Sequence, residues 1–159
     1  MILVDSVMLR REAENRPIRV GMVGCGFMGR AVTRQIVNST PGMLLVAIAN
    51  RSPNAAVSAY RAAGVEPVFA TGTTALNRIV GRGQVAVLDD AFALIESDMI
   101  DCVVDVTGAV EFGARVTLAA IEHKLPVVSL NAELDGTVGP LLAYLARQVG
   151  VVFTASDGD

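Results

Sequence analysis

Short apolar runs rich in β-branched residues alternate along this chain with longer stretches in which apolar residues recur at the period of a helix. This alternation is typical of βαβ units that build a parallel sheet. The predicted strands are, in chain order, IRVGMVG, LLVAIAN, VEPVFATG, VAVL, DCVVDVTG, PVVSLN and VVFTA. The pattern therefore predicts an α/β fold with a doubly wound parallel sheet, in a three-layer α/β/α arrangement.

Residues at the ends of the predicted helices indicate where these helices begin and how the chain divides into a lead-in and one domain. An opening helix is predicted over residues 6–15, so residues 1–17 form a lead-in to a single domain over residues 18–159. The run GPLLAYLARQVG, residues 139–150, predicts the last helix. The predicted helix N-caps are Ser52 ahead of Pro53, Thr73 or Thr74, and Asp89 or Asp90.

Composition excludes several classes of protein. The 159 residues suffice for one domain with a buried core. Hydrophobic residues make up 52% of the chain and the formal net charge is −3, which argues against disorder and against binding nucleic acid by bulk charge. The apolar runs are shorter than the ~20 residues that cross a membrane. We therefore expect a cytoplasmic protein with no membrane partner, in which Cys25 and Cys102 only pack.

Three glycines stand at the spacing G-x-G-x-x-G in the stretch VGMVGCGFMGR: Gly24, Gly26 and Gly29. The spacing alone is weak evidence, but here it follows a predicted buried strand and opens a predicted helix. In such a turn the glycines permit a tight bend, a close approach of the backbone to a diphosphate and close helix packing. Phe27 and Met28 would offer backbone N–H donors. We predict a Rossmann dinucleotide-binding turn, with a purely structural turn as the alternative.

The end of the second predicted strand bears on the choice of dinucleotide. An Asp or Glu there usually accepts hydrogen bonds from the adenine ribose of NAD. This chain has Asn50, Arg51 and Ser52 instead. A guanidinium can pair with a 2′-phosphate, so the sequence favours NADP bound by Arg51 and Ser52. In the alternative interpretation Arg51 is a solvated surface residue and Asn50 serves NAD.

Polar residues also follow the later predicted strands, at the edge where open α/β sheets bind ligands. Thr107 and Gly108 end the run DVTG, and we expect them beside the nicotinamide ribose with Asn131. The other polar residues placed at this edge are Ser129, Glu133, Asp135, Ser156, Asp157 and Asp159.

The catalytic group is not identified by the sequence, and Asn131 and Glu133 are the candidates. Glu133 and Asp135 either orient a polar substrate or are a solvated residue and a helix cap, respectively. A metal site is not expected. His123 is expected at a helix C-terminus, on the wrong edge of the sheet for catalysis.

The chain resembles the coenzyme domain of the homoserine dehydrogenase-like NAD(P)-dependent oxidoreductases, and within them the branch that carries a SAF domain. The resemblance rests on IRVGMVGCGFMGR, PGMLLVAIANR, DVTG, VVSLNAELDGTVGPLL and TASDGD. It implies a small polar hydroxy or keto substrate, such as a sugar acid, polyol or sugar phosphate, and a homo-oligomeric full-length protein. It also implies substrate-binding and SAF regions beyond Asp159, so we interpret the chain as a fragment that is inactive alone.

One position departs from the family pattern. In homoserine dehydrogenases a Lys that lies beside the substrate follows the matching Asn, and here Ala132 follows Asn131. Homoserine therefore becomes an alternative substrate, together with a 1-deoxy-D-xylulose 5-phosphate reductoisomerase-like activity. A non-enzymatic NAD(P)H-sensing domain is the alternative from a different class of protein.

Overall fold

The computed structural model describes residues 3–156, and it describes side chains from Ser6 onward. Seven strands are present: β1 Ile18–Val23, β2 Met43–Ala49, β3 Val68–Phe69, β4 Ala86–Leu88, β5 Cys102–Asp105, β6 Val127–Ser129 and β7 Phe153–Ala155. Seven helices accompany them: α1 Leu3–Ala13, α2 Phe27–Ser39, α3 Pro53–Ala62, α4 Gly72–Gly81, α5 Ala91–Ile95, α6 Val110–Glu122 and α7 Ala132–Gln148.

The strands form one sheet in the order β3-β4-β2-β1-β5-β6-β7, and every neighbouring pair is parallel. The strand order changes direction at β1, since the chain proceeds outward through β2 on one side and later through β5 on the other. All the carboxyl ends lie on one edge of the sheet. The glycine turn after β1 therefore lies at the topological switch point, where ligands bind in sheets of this kind.

Two apolar clusters cover the two faces of the sheet, because alternate residues of a strand point to opposite faces. In β4, Ala86 and Leu88 pack with α4, α5 and α6, while Val87 packs with α2 and α3. The Tyr60 side chain of α3 is fully buried, and its hydroxyl donates to the Leu45 carbonyl at 3.0 Å. The predicted three-layer α/β/α doubly wound fold is confirmed.

Three predicted helix starts are wrong. Helix α1 begins at Leu3 and ends at Ala13, whereas the sequence predicts residues 6–15. Helix α4 begins at Gly72 with Thr71 as its N-cap residue, and Thr73 lies inside the helix, where its hydroxyl donates to the Ala93 carbonyl at 3.0 Å instead of capping. Helix α7 begins at Ala132, seven residues before the predicted start, and Pro140 lies inside it. The pair Gly139-Pro140 looks like a helix N-terminus in sequence, but Asn131 provides the cap.

Candidate functional site

A cleft of about 840 Å³ opens at the carboxyl edge of the sheet. Its walls come from four segments that follow β1, β2, β4 and β5: residues 23–26, 49–51, 89–92 and 106–112. Strands β4, β2, β1 and β5 are consecutive neighbours in the sheet, so the cleft runs across the strand ends with the glycine turn near its middle. Its position is the one at which open α/β sheets bind ligands.

The glycine turn has the backbone geometry that its sequence predicts. Gly24 has φ +98°, and a Cβ there would lie 2.8 Å from the Val106 carbonyl oxygen, so only glycine fits. A Cβ on Gly29 would lie 3.0 Å from the Gly24 carbonyl oxygen, which reflects close packing of α2 on the turn. Gly26 differs from both, since a Cβ there would meet no atom within 4 Å. Its Cα faces open space in the cleft wall.

Backbone donors surround this open space. Within residues 3–156, the N–H groups of Gly26, Phe27 and Met28 have no hydrogen-bond acceptor, as expected at the start of an α-helix. The first turn of α2 has no acidic residue that would compete for an anion. The turn therefore fits a diphosphate group, because a helix N-terminus presents unpaired donors and a positive dipole end to an anion.

Asn50 braces the turn from the end of β2. Its Oδ1 accepts a hydrogen bond from the Cys25 N–H at 2.9 Å, and its Nδ2 donates to the Ser52 carbonyl at 2.7 Å. Both polar atoms of the Asn50 side chain are thus engaged within the protein, whereas the sequence suggested a cofactor contact. Arg51 lines the cleft, is exposed and has no ion-pair partner among the described residues. Ser52 is exposed and N-caps α3 without a side-chain hydrogen bond.

The loop after β4 brings two carboxylates to the same cleft, Asp89 and Asp90. The sequence indicated them only as helix caps. The Asp90 side chain does cap α5, accepting hydrogen bonds from the N–H groups of Phe92 and Ala93. Their place beside Arg51 follows from the pairing of β4 with β2, which local sequence patterns do not reveal.

A buried polar cluster supports the cleft wall at the end of β5. The Asp105 side chain is fully buried; its Oδ1 accepts from the Thr107 N–H at 3.0 Å, and its Oδ2 has no hydrogen-bond partner within the described chain. Burial raises the pKa of the Asp105 carboxyl, while the hydrogen bonds from Thr107 and the nearby Asn131 amide oppose the shift. A Cβ on Gly113 of α6 would lie 2.8 Å from Asp105 Oδ2, so α6 packs directly against this carboxyl.

The structure places the predicted nicotinamide residues in two different environments. Thr107 lines the cleft, and Gly108 is exposed next to it with φ +65°. Asn131 is only 1% exposed; its Oδ1 accepts from the Leu134 N–H, and its Nδ2 donates to Thr107 Oγ1 at 3.4 Å. Asn131 therefore supports the Thr107 loop from inside the protein rather than facing the cleft.

The remaining predicted edge residues are dispersed. Glu133 and Ala132 are exposed in the first turn of α7, and the alternative in which Asp135 caps a helix is wrong because Asp135 lies inside α7. Ser129 is buried and its Oγ accepts from the Asn131 N–H at 3.2 Å. Ser156 is exposed, and Asp157 and Asp159 lie outside the described residues.

Other titratable residues are placed away from the cleft or packed into its wall. His123 follows α6 as its C-cap residue and precedes β6, so it lies near the amino edge of the sheet, as predicted. The Cys25 thiol is buried, and burial raises its pKa; burial also raises the pKa of Cys102 to about 11. Among residues 3–156 no three His, Cys, Asp or Glu side chains come together as a metal site. No helix in that range is long and apolar enough to cross a membrane.

Comparison with known proteins agrees with the site. The family described as "Homoserine dehydrogenase, NAD binding domain" matches residues 24–154. The chain belongs to this family. The homoserine dehydrogenase of Methylobacillus glycogenes is 30% identical over 133 residues, which are 84% of this chain and 29% of that protein. The Corynebacterium glutamicum homoserine dehydrogenase is 40% identical over 63 residues, 40% of this chain and 14% of that protein.

Solved structures share the fold. A homoserine dehydrogenase from Thiobacillus denitrificans superposes with a TM-score of 0.66 at 22% identity, over 87% of this chain and 29% of that one. Myo-inositol dehydrogenase from Lactobacillus casei, solved with NAD(H) and myo-inositol, gives 0.64 at 22% identity, over 88% of this chain and 36% of that one. The predicted family of NAD(P)-binding coenzyme domains is confirmed, and the assignment to the SAF-containing branch stays a prediction.

Proposed function

We propose that the cleft binds a nicotinamide dinucleotide with its diphosphate on the N–H groups of Gly26, Phe27 and Met28. The open space at Gly26, beside unpaired donors, is the single observation that carries this proposal. Gly24 and Gly29 shape the turn. From the turn, the adenosine half would extend toward β2 and β4, and the nicotinamide half toward Thr107 and Gly108 at the end of β5.

NADP is our preferred cofactor, with NAD as the alternative. Arg51 supports NADP because its exposed guanidinium lines the adenosine side of the cleft and is free to pair with a 2′-phosphate. Ser52 adds a hydroxyl one residue further on, and Asn50 contributes by holding the turn. The Asp89 carboxylate, which follows the neighbouring strand β4 and lines the same part of the cleft, limits the preference, since it repels a phosphate.

For the whole protein we propose an oxidoreductase in which this chain is the coenzyme domain. Once bound, the nicotinamide would donate or accept the hydride, and the protein would supply orientation and charge. Thr107 and Gly108 would fix the nicotinamide ribose, with Asn131 holding their loop in place. Glu133, exposed at the start of α7, is the candidate on this chain for contact with the substrate.

We propose two substrate classes. The first is a small polar hydroxy or keto compound such as a sugar acid, polyol or sugar phosphate. The second is homoserine, which the family match and both curated relatives support at least as well. Ala132 bears on the choice, because its exposed methyl group stands where the family resemblance implies a lysine.

The architecture of the whole protein is also a proposal. The chain spans 29% and 14% of the lengths of the two curated relatives, which supports a substrate-binding region elsewhere in the natural protein. We retain from the sequence a SAF domain, a homo-oligomeric assembly and a cytoplasmic location.

Fluorescence titration of the 159-residue chain with NADPH and NADH tests the cofactor proposal. We expect saturable binding of both, with NADPH bound more tightly. No binding of either nucleotide by folded protein would refute it. A turnover screen of the natural full-length protein with homoserine, sugar acids, polyols and sugar phosphates would then distinguish the two substrate classes.

A further inference from the structure

Asp89 is a carboxylate on the cleft wall to which the cofactor proposal gives no contact. It follows directly after β4, is exposed, lines the cleft and makes no hydrogen bond or ion pair within residues 3–156. Asp90 differs, because its Oδ1 is occupied by the backbone N–H groups of α5. Asp89 is therefore a hydrogen-bond acceptor that the protein itself does not use.

The sheet fixes where Asp89 lies relative to the glycine turn. Strand β2 lies next to β1, and β4 lies next to β2, with Ala49 paired to Leu88. The Asn50 N–H donates to the Leu88 carbonyl at 2.9 Å, so the carboxyl ends of β2 and β4 lie side by side. Asp89 thus lies beside the Asn50–Arg51 segment, about 4.8 Å further from β1 in the direction across the strands.

This order of strand ends matches the order of groups in a dinucleotide. With the diphosphate on the turn after β1, the ribose would lie over the end of β2 and the base over the end of β4. Adenine presents an exocyclic amine, which is a donor, and a carboxylate only accepts.

We infer that Asp89 determines specificity for the base, by accepting a hydrogen bond from the exocyclic amine of adenine. This inference rests on the proposed cofactor site. It distinguishes adenine from hypoxanthine, in which a carbonyl oxygen replaces the amine. That oxygen would face the Asp89 carboxylate as a second acceptor, so the hydrogen bond would be lost and replaced by repulsion.

The test compares NADH with its hypoxanthine counterpart, and NADPH with its own, by fluorescence titration. We expect the wild-type chain to bind the adenine nucleotides about tenfold more tightly, the lower end of the range for a hydrogen bond to a charged group, because the Asp89 side chain is exposed to solvent. Asp89→Asn should reduce this ratio to about one or invert it, since the amide can donate to the hypoxanthine oxygen. The exposed Asp98, which precedes β5 at the amino edge, offers Asp98→Asn as a matched control that should keep the wild-type ratio.

The outcomes separate the inference from the cofactor proposal. Equal affinities of the wild-type chain for adenine and hypoxanthine nucleotides would overturn the inference and leave the cofactor site intact. Asp89→Asn weakening both nucleotides by the same factor would also overturn it, and would indicate a ribose contact instead. Failure of the folded chain to bind any nucleotide would reject both proposals together. Circular dichroism of each variant establishes that it is folded.

Discussion

Replacing Gly26 by valine should separate cofactor binding from folding. The residue has φ −78° and ψ −150°, an extended conformation that valine adopts, and a new Cβ meets no protein atom within 4 Å. The side chain would instead occupy the space in front of the N–H groups of Gly26, Phe27 and Met28. At least two of the three charge-assisted hydrogen bonds from these groups to a diphosphate, at about 1.5–3 kcal/mol each, would be lost. Affinity for NADPH should therefore fall on the order of 10²- to 10⁴-fold.

The same change should have little effect on stability. Valine is a poorer helix N-cap than glycine, which costs about 0.5–1 kcal/mol and lowers the melting temperature by about 1–4 °C. Fluorescence titration measures the first effect and thermal denaturation the second. Gly136→Val is the matched control, because Gly136 also faces open space but lies in α7, away from the residues that line the cleft. If folded Gly26→Val protein bound NADPH within about threefold of wild type, the diphosphate would not lie on this turn.

Three further changes test other parts of the site. Arg51→Ala should weaken NADPH binding about fivefold and leave NADH within twofold, and equal losses for both would remove the 2′-phosphate assignment. Gly113→Ala should destabilise the fold by about 1–3 kcal/mol in urea unfolding, because its Cβ would lie 2.8 Å from Asp105 Oδ2, whereas Gly136→Ala should not. Asp101 accepts hydrogen bonds from Arg19, which hold the pKa of its carboxyl below the ordinary 3.8. This stabilisation is present above about pH 4 and lost as pH falls through the folded-state pKa, so Asp101→Asn should cost about 1 kcal/mol at pH 7 and progressively less below pH 4. A stability difference that did not change with pH would contradict that reasoning.

Features that depend on local chemistry were predictable from the sequence. The turn between β1 and α2 is an example, since an apolar run precedes it and a segment with the apolar period of a helix follows it. The positive φ of Gly24 in this turn also agrees with the residue type. The wrong starts of α4 and α7 have different causes: at α4 the Thr73 hydroxyl is used in a tertiary contact, whereas at α7 the cap is the local bond from the Leu134 N–H to Asn131 Oδ1, which the pair Gly139-Pro140 obscures in sequence. The Thr73 hydroxyl bonds to the Ala93 carbonyl of α5, and Asn131 caps α7 while its amide holds the Thr107 loop.

Local sequence patterns predict only some of the residues that line the cleft. Arg51 was identified because it directly follows β2 in the chain. Asp89 was not assigned to the site, because it is 38 residues further on and reaches the cleft only through the pairing of β4 with β2. Asn50 and Asn131 have the correct residue type for a ligand contact, but hydrogen bonds within the protein use their side chains. Pairing and burial are properties of the assembled sheet, which a single sequence does not encode locally.

The hydrogen bond from the Cys25 N–H to Asn50 Oδ1 has a consequence for the time course of binding. It joins the loops after two neighbouring strands, so the bend that we propose binds the diphosphate has its shape before any nucleotide arrives. A preorganised site of this kind loses little conformational entropy when the nucleotide binds. Stopped-flow traces should then show a single concentration-dependent phase, with no slow isomerisation after encounter, and Asn50→Ala should introduce one.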